Sequence, residues 1–208
     1  VGDSLTSVTT AAREYRAPED PGTFRRRLLD GLAASIEADG YRATTVAAVV
    51  RHARTSRRTF YEHFAGKEDC FVALLTDTNR RTIRQISAAV DPAAPWSTQV
   101  RQAVEAWIAA AESAPAITVS WIRELPSLGT AARAMQRDVM ESFIVMIQTL
   151  CDTDEWRAAG LGAVPRQRAV MLLGGLRELI ATTVEDGGRA GDITEVAVRC
   201  SIALLGPA

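Results

Sequence analysis

Apolar residues recur at helical spacing along nearly the whole chain, and no stretch alternates as a strand would. From Phe24 to Asp39 (FRRRLLDGLAASIEAD), Leu28, Leu29, Leu32, Ile36 and Ala33 share one face. Thr23 is placed to cap this helix and Gly40 to close it. A short helix over 44–53 follows, with Thr44 or Thr45 as cap and Val46, Val49, Val50 and Ala53 facing inward. Arg54 and Thr55 make a turn, and Ser56 caps a third helix reaching Phe64. Phe60 and Phe64 stand four apart and so point inward together, while Ala65-Gly66 ends the helix. An unbroken pattern then runs from Lys67 to Val90, a helix about 35 Å long at a rise of ~1.5 Å per residue.

Asp91 to Pro95 stops that helix. Further helices are expected over 96–113 and 115–125, and over 128–151, where Met135, Val139, Phe143, Ile147 and Leu150 form the apolar stripe. Residues 152–164, with Gly160 and Gly162, read as a loop; Pro165 opens a helix to Glu185, 186–191 is a Gly-rich turn, and a last helix covers 193–205. Residues 1–22 are Ser, Thr, Ala, Pro and charge, the composition of a flexible, solvated arm, in which Arg13 and Arg16 are the cations in reach of a DNA backbone. The expected fold is all-α: a three-helix head with a helix-turn-helix over 23–66, and a larger helical body for ligand binding and dimerisation over 67–208.

Composition narrows the function classes. The 208 residues allow one large domain or a small one joined to a medium one. No apolar run approaches the ~20 residues of a membrane span, and the N-terminus has no apolar signal region, so a cytoplasmic protein without membrane contact is expected. Cys70, Cys151 and Cys200 are odd in number and far apart, which predicts three buried, reduced thiols, with Cys70 nearest a cation at Lys67. His52 and His63 are the only histidines, too few at this spacing for a metal site. No GxSxG, P-loop or HExxH is present, and the run Gly187 to Gly191 follows no strand and reads as a turn. No catalysis, cofactor or metal is expected.

The net charge of −1 is unevenly placed. Phe24 to Lys67 holds nine basic and four acidic side chains, a balance of +5, which leaves −6 for the remainder. A basic unit on an acidic body predicts that one end meets a polyanion. Two short helices joined by a tight turn make a helix-turn-helix, whose second helix fits the ~12 Å major groove while the first crosses the backbone. The groove-facing donors are then Arg57, Arg58, Thr59, Tyr61 and His63. An arginine reads guanine O6 and N7 as a bidentate pair; Tyr61 and Lys67 suit phosphate, and Lys67 also opens a helix whose N–H groups can meet one.

The stretch GYRATTVAAVVRHARTSRRTFYEHFAGKEDCFVALL resembles the DNA-binding head of TetR-type transcriptional regulators. The similarity covers Phe24 to Leu75, and its most specific parts are Gly40-Tyr41 with Thr44-Thr45-Val46, then Thr59-Phe60-Tyr61-x-His63-Phe64, then Lys67-Glu68-Asp69. The resemblance implies a homodimer on a palindromic double-stranded DNA operator, acting as a repressor released by a small ligand in the body. It places Thr44, Arg57, Arg58, Tyr61, His63 and Lys67 near DNA and Phe60 and Phe64 in the core. With Thr45, Ser56 and Thr59 these form the expected DNA-binding set. Two positions depart from the pattern: Arg54 stands where the turn commonly has Gly, at a cost of ~1 kcal/mol if left-handed, and Val50 stands where a small residue is usual. Either the turn differs or a phosphate contact offsets the strain at Arg54, and the bulk of Val50 would open the angle between the helices.

In the body, Trp107 and Trp121 are expected in the helices with Met140 and Phe143 nearby, and the choice is between plain core packing and an apolar cavity for a small apolar or amphipathic effector. Arg123 and Glu124 would border that cavity or form a surface pair. Leu172, Leu173, Leu176, Leu179 and Ile180 are too many for one narrow stripe, and Gly174 and Gly175 cost a helix ~1 kcal/mol each, which the close approach of another helix would explain. The last two helices are therefore the expected homodimer surface, as a four-helix interface. The competing readings are a helical enzyme or small-molecule carrier with an incidental helix-turn-helix, and a non-specific architectural DNA protein. The missing catalytic constellation argues against an enzyme; net charge and the confined basic patch argue against an architectural protein.

Overall fold

Gly40 decides where the first helix stops. In the computed structural model, which describes residues 21–207, helix α1 (Pro21–Ala43) is kinked at Gly40, whose backbone is left-handed at φ 76°, ψ 161°. The closure expected there is present, but the helix starts at Pro21 rather than after Thr23, because proline suits a first turn. The rest of the expected arm, with Arg13 and Arg16, lies outside the described residues.

Helix α2 (Val46–His52) is capped by Thr45, whose side chain accepts from the Ala48 amide, and α3 (Arg57–His63) by Ser56, which accepts from Thr59. The strut, α4 (Lys67–Ala89), follows. The body continues with α5 (Trp96–Glu112), α6 (Pro115–Arg123) and, after a 3-10 turn over Leu125–Ser127, α7 (Gly129–Leu150). The expected loop at 152–164 contains a short helix, α8 (Asp154–Ala158), which sequence periodicity could not resolve in five residues. Thr153 caps it, and it brings Trp156 into the interior, where Nε1 donates to Gln99 Oε1 at 3.1 Å. Gln99, itself buried, donates to the Pro92 and Ala94 carbonyls and so ties α8 to the turn after α4. Helix α9 (Arg166–Glu185) begins just after Pro165, and a 3-10 turn over Ala190–Ile193 leads into α10 (Thr194–Leu205).

One apolar core runs through head and body. Leu28, Leu32, Ile36, Val49, Phe60 and Phe64 close the head, and Phe71 of α4 carries the core onward by stacking on Tyr41 at 4.2 Å. Cys70 and Cys151 are buried, and burial pushes each thiol up to about 12. Cys200 corrects the expectation of three buried thiols, since it is exposed on α10. No helix among the described residues is long and apolar enough to cross a membrane.

Candidate nucleic-acid interface and effector cavity

The recognition helix owes its position to a close approach between α1 and α2. A Cβ on Gly31 would lie 2.7 Å from the Val49 carbonyl oxygen and 2.9 Å from the Ala53 nitrogen, so only glycine lets these helices meet. Sequence reasoning passed over Gly31, although a glycine inside an otherwise good helix was the available signal. Val50, expected to open the helix pair, is only partly buried. Arg27 then holds the turn from below: its Nε and Nη2 donate to the Ala53 carbonyl at 3.2 and 2.8 Å, and Nη2 also to that of Arg54 at 2.8 Å.

Arg54 is left-handed, φ 50°, the sole such non-glycine among the described residues. The turn therefore keeps the geometry that favours glycine. Arg54→Gly is expected to stabilise the head by about 1 kcal/mol, read as a rise in thermal midpoint. The same variant should weaken operator binding severalfold and lower the salt slope by about one. Unchanged binding and slope would remove the phosphate contact as the reason an arginine stands there.

On α3, Phe60 (0% exposed) and Phe64 (4%) anchor the inner face as expected. The outer face presents Arg57, Arg58 and Tyr61. Arg57 has no hydrogen-bond or ion-pair partner among the described residues, and Arg58 pairs through Nε with Glu62 at 3.1 Å, leaving its terminal nitrogens available. His63 and Thr59 are half-buried at its edges. Thr45 and Ser56 are exposed but use their hydroxyls as caps. Ser56 Oγ also lies 3.0 Å from Thr59 Oγ1.

Two members of the expected set sit elsewhere. Thr44 is buried, and its Oγ1 donates to the Gly40 carbonyl at 2.9 Å, so its side chain closes α1 and is not presented at the surface. Lys67 Nζ donates to the Tyr41 and Thr44 carbonyls at 3.0 and 2.9 Å and lies 4.3 Å from the Tyr41 ring centre. Burial pulls its pKa down, against weaker opposite pulls from Glu68 and Glu124, and pushes the Tyr41 hydroxyl up to about 12. The ammonium is thus a clamp between the end of α1 and the start of α4. The backbone N–H of Lys67 lies in the first turn of α4.

In the body, Trp107, Trp121 and Phe143 come together. Phe143 stacks on Trp107 at 5.5 Å and on Trp121 at 6.3 Å. All three line a cavity of ≈ 180 Å³ that also touches Asp30 and Ala33 of α1 and Thr78 and Asn79 of α4. The remaining expected lining residues do not reach it. Met140 packs at the edge of the core, and Glu124 accepts from Arg42 Nε at 3.0 and 2.9 Å, joining head to body. Arg123 bridges Glu178 and Glu185 of α9 and, by donating to both, holds their carboxyls below the usual range. Charged neighbours in sequence were separated by the turn of the helix, and each found its own partner.

A left-handed turn, a capped three-helix head and an exposed arginine pair on its last helix define a helix-turn-helix DNA-binding unit. Residues 28–74 match the model of the bacterial regulatory proteins, tetR family. That match takes in the three-helix head and the first turns of α4. It is 25% identical over 121 residues to the uncharacterised HTH-type transcriptional regulator YhgD of Bacillus subtilis (strain 168); the match covers 56% of this chain and 63% of that protein, a little under two thirds of its length. The fatty acid degradation regulator FadR of Bacillus halodurans superposes with a TM-score of 0.73 at 17% identity, over 88% of this chain and 94% of that one. FadR of Bacillus subtilis, solved in complex with stearoyl-CoA, also gives 0.73, at 13% identity over 87% and 99%. At such identities the likeness is one of fold.

Proposed function

We propose that the protein is a transcriptional regulator, a repressor that binds a palindromic operator as a homodimer through the head at 23–66 and is released when an amphipathic effector enters the body at 67–208. The observation that carries this reading is the outer face of α3, where Arg57 stands unpartnered among the described residues and Arg58 beside it keeps free donors. Buried Phe60 and Phe64 fix their direction. DNA, and hence the cytoplasm, follows as the place of action. Selecting bound fragments from random DNA and then screening compounds for release tests it; recovery of no enriched palindrome would sink it.

Effector release has a short route to the head. The cavity is lined by Asp30 and Ala33, which belong to α1 itself, as well as by α4. A ligand that favours a wider cavity shifts α1 and the strut together, and DNA favours the other spacing. That a fold neighbour was solved with stearoyl-CoA supports an acyl amphiphile as the ligand class for this chain.

The dimer surface we assign to α9 and α10. Met171 is 65% exposed and Val170 41%, and Gly174 and Gly175 meet open space where a Cβ would be. No helix among the described residues occupies that space, and a partner's helix would explain the two glycines. On α10, Val196, Cys200 and Ala203 continue the exposed row at helical spacing. Met171→Glu is expected to give a monomer at micromolar concentration by light scattering, and to make Cys200 react with a thiol reagent at least about tenfold faster than in the dimer, a difference of ~1.4 kcal/mol in protection. A dimer that survives the change with Cys200 equally reactive would move the interface elsewhere.

A further inference from the structure

Trp107 is the single side chain shared by two cavities of opposite character. On one side lies the ≈ 180 Å³ cavity, whose lining includes Thr78, Asn79, Thr82 and the exposed Arg81 of α4 along with Trp121 and Phe143. Asn79 spends its Nδ2 on the Leu75 carbonyl at 2.8 Å, and its carbonyl end has no protein partner among the described residues. On the other side is a chamber of ≈ 50 Å³ walled by Ile86, Val104, Ile147, Leu172, Leu176 and Leu205. Gln99 also borders it, but both ends of that amide are bound, at Pro92, Ala94 and Trp156, so the chamber offers only apolar surface. Trp107, 7% exposed and with its indole stacked on Phe143 at an interplanar angle of 17°, lines both.

We propose that Trp107 partitions a two-chamber effector site and so sets the length of the ligand, a straight-chain carboxylic acid or its acyl derivative. This rests on the effector reading above. The polar end lies against the α4 wall, within reach of the Arg81 guanidinium, and the chain runs over Phe143 toward the indole. A cavity near 150 Å³ holds a benzene-sized group. The first chamber therefore takes a chain of about six to eight carbons before it meets Trp107. Beyond that length the second chamber is the continuing apolar space, and it is closed to the chain by the indole.

The test is calorimetric titration with a homologous series from butanoate to octadecanoate, on the full chain. Wild-type affinity should rise about fourfold per added methylene, reach its maximum near octanoate and then fall. In Trp107→Ala the maximum should move to dodecanoate or longer, and in Trp107→Phe, the milder change that guards against misfolding, by a smaller step in the same direction. Adding Leu172→Trp to Trp107→Ala, which refills the far chamber, should return the maximum toward octanoate. Binding with the same maximum in all variants overturns the partition, as does a wild-type protein that already prefers the longest chains. Absence of binding by the wild type across the whole series overturns the effector reading itself, so the two failures are told apart.

Discussion

An Arg57→Ala/Arg58→Ala variant is expected to lose specific operator binding by roughly 30-fold to 10⁴-fold, since each arginine reading a guanine contributes about 1–3 kcal/mol. The loss should not come from unfolding. Both side chains are exposed, and Arg58 gives up only an i,i+4 pair with Glu62, worth ~0.3–0.5 kcal/mol. Circular dichroism and the thermal midpoint should therefore stay nearly unchanged. The companion variant Arg57→Lys/Arg58→Lys keeps the charge but loses the planar fork. Binding to random DNA should persist in it while preference for the operator disappears. If the pair touches phosphate instead of bases, affinity falls evenly across sequences and the salt slope drops by about two. Operator affinity that survives the double alanine change would show that α3 is not the reading helix.

Gly31→Ala carries the second large effect, and its sign is opposite to the usual one. Alanine for glycine inside a helix normally stabilises by up to ~1 kcal/mol. Here the new methyl would stand 2.7 Å from the Val49 oxygen and 3.0 Å from the Ala53 Cβ. The first of these is backbone, so relief requires α2 to move as a body. Overpacking of this kind costs about 1–3 kcal/mol. The Arg27 bonds to Ala53 and Arg54 would be stretched with it, because their acceptors lie at the end of α2 and in the turn. The expected result is a lower thermal midpoint together with a drop of at least about tenfold in operator affinity, equivalent to ~1.4 kcal/mol. A thermal midpoint above wild type would show that the head has slack at this crossing. The lever on the α1–α2 pair would then be Val50, as the sequence pattern suggested.

Both predictions concern residues of one head, yet they differ in how they could be found. Arg57 and Arg58 were legible because a cap at Ser56 and a pair of phenylalanines four apart fix which way a short helix faces. Gly31 was not, because its meaning depends on Val49 and Ala53, which belong to another helix. Thr44 and Lys67 show the same limit. Their types and positions fit a DNA contact, but one is buried with its hydroxyl on Gly40 and the other has its ammonium on two carbonyls. Trp107, Trp121 and Phe143, expected near one another in the body, do meet across three helices, whereas Arg123 and Glu124, adjacent in sequence, were drawn apart by carboxylates on α9 and an arginine of the head.

The sequence by itself determined the class of fold, the longer helices, the cap at Ser56 and the break at Gly40, and it marked Arg54 as the turn position to watch without deciding its geometry. These depend on spacing, backbone preference and hydrogen bonds between near neighbours, all of which are local. The tertiary structure alone decided that Trp156 enters the core on a five-residue helix, that Lys67 clamps instead of reaching outward, and that Trp107 separates two chambers. Each of these depends on which groups meet across distant segments, and a buried donor or ring takes the partner that packing brings to it.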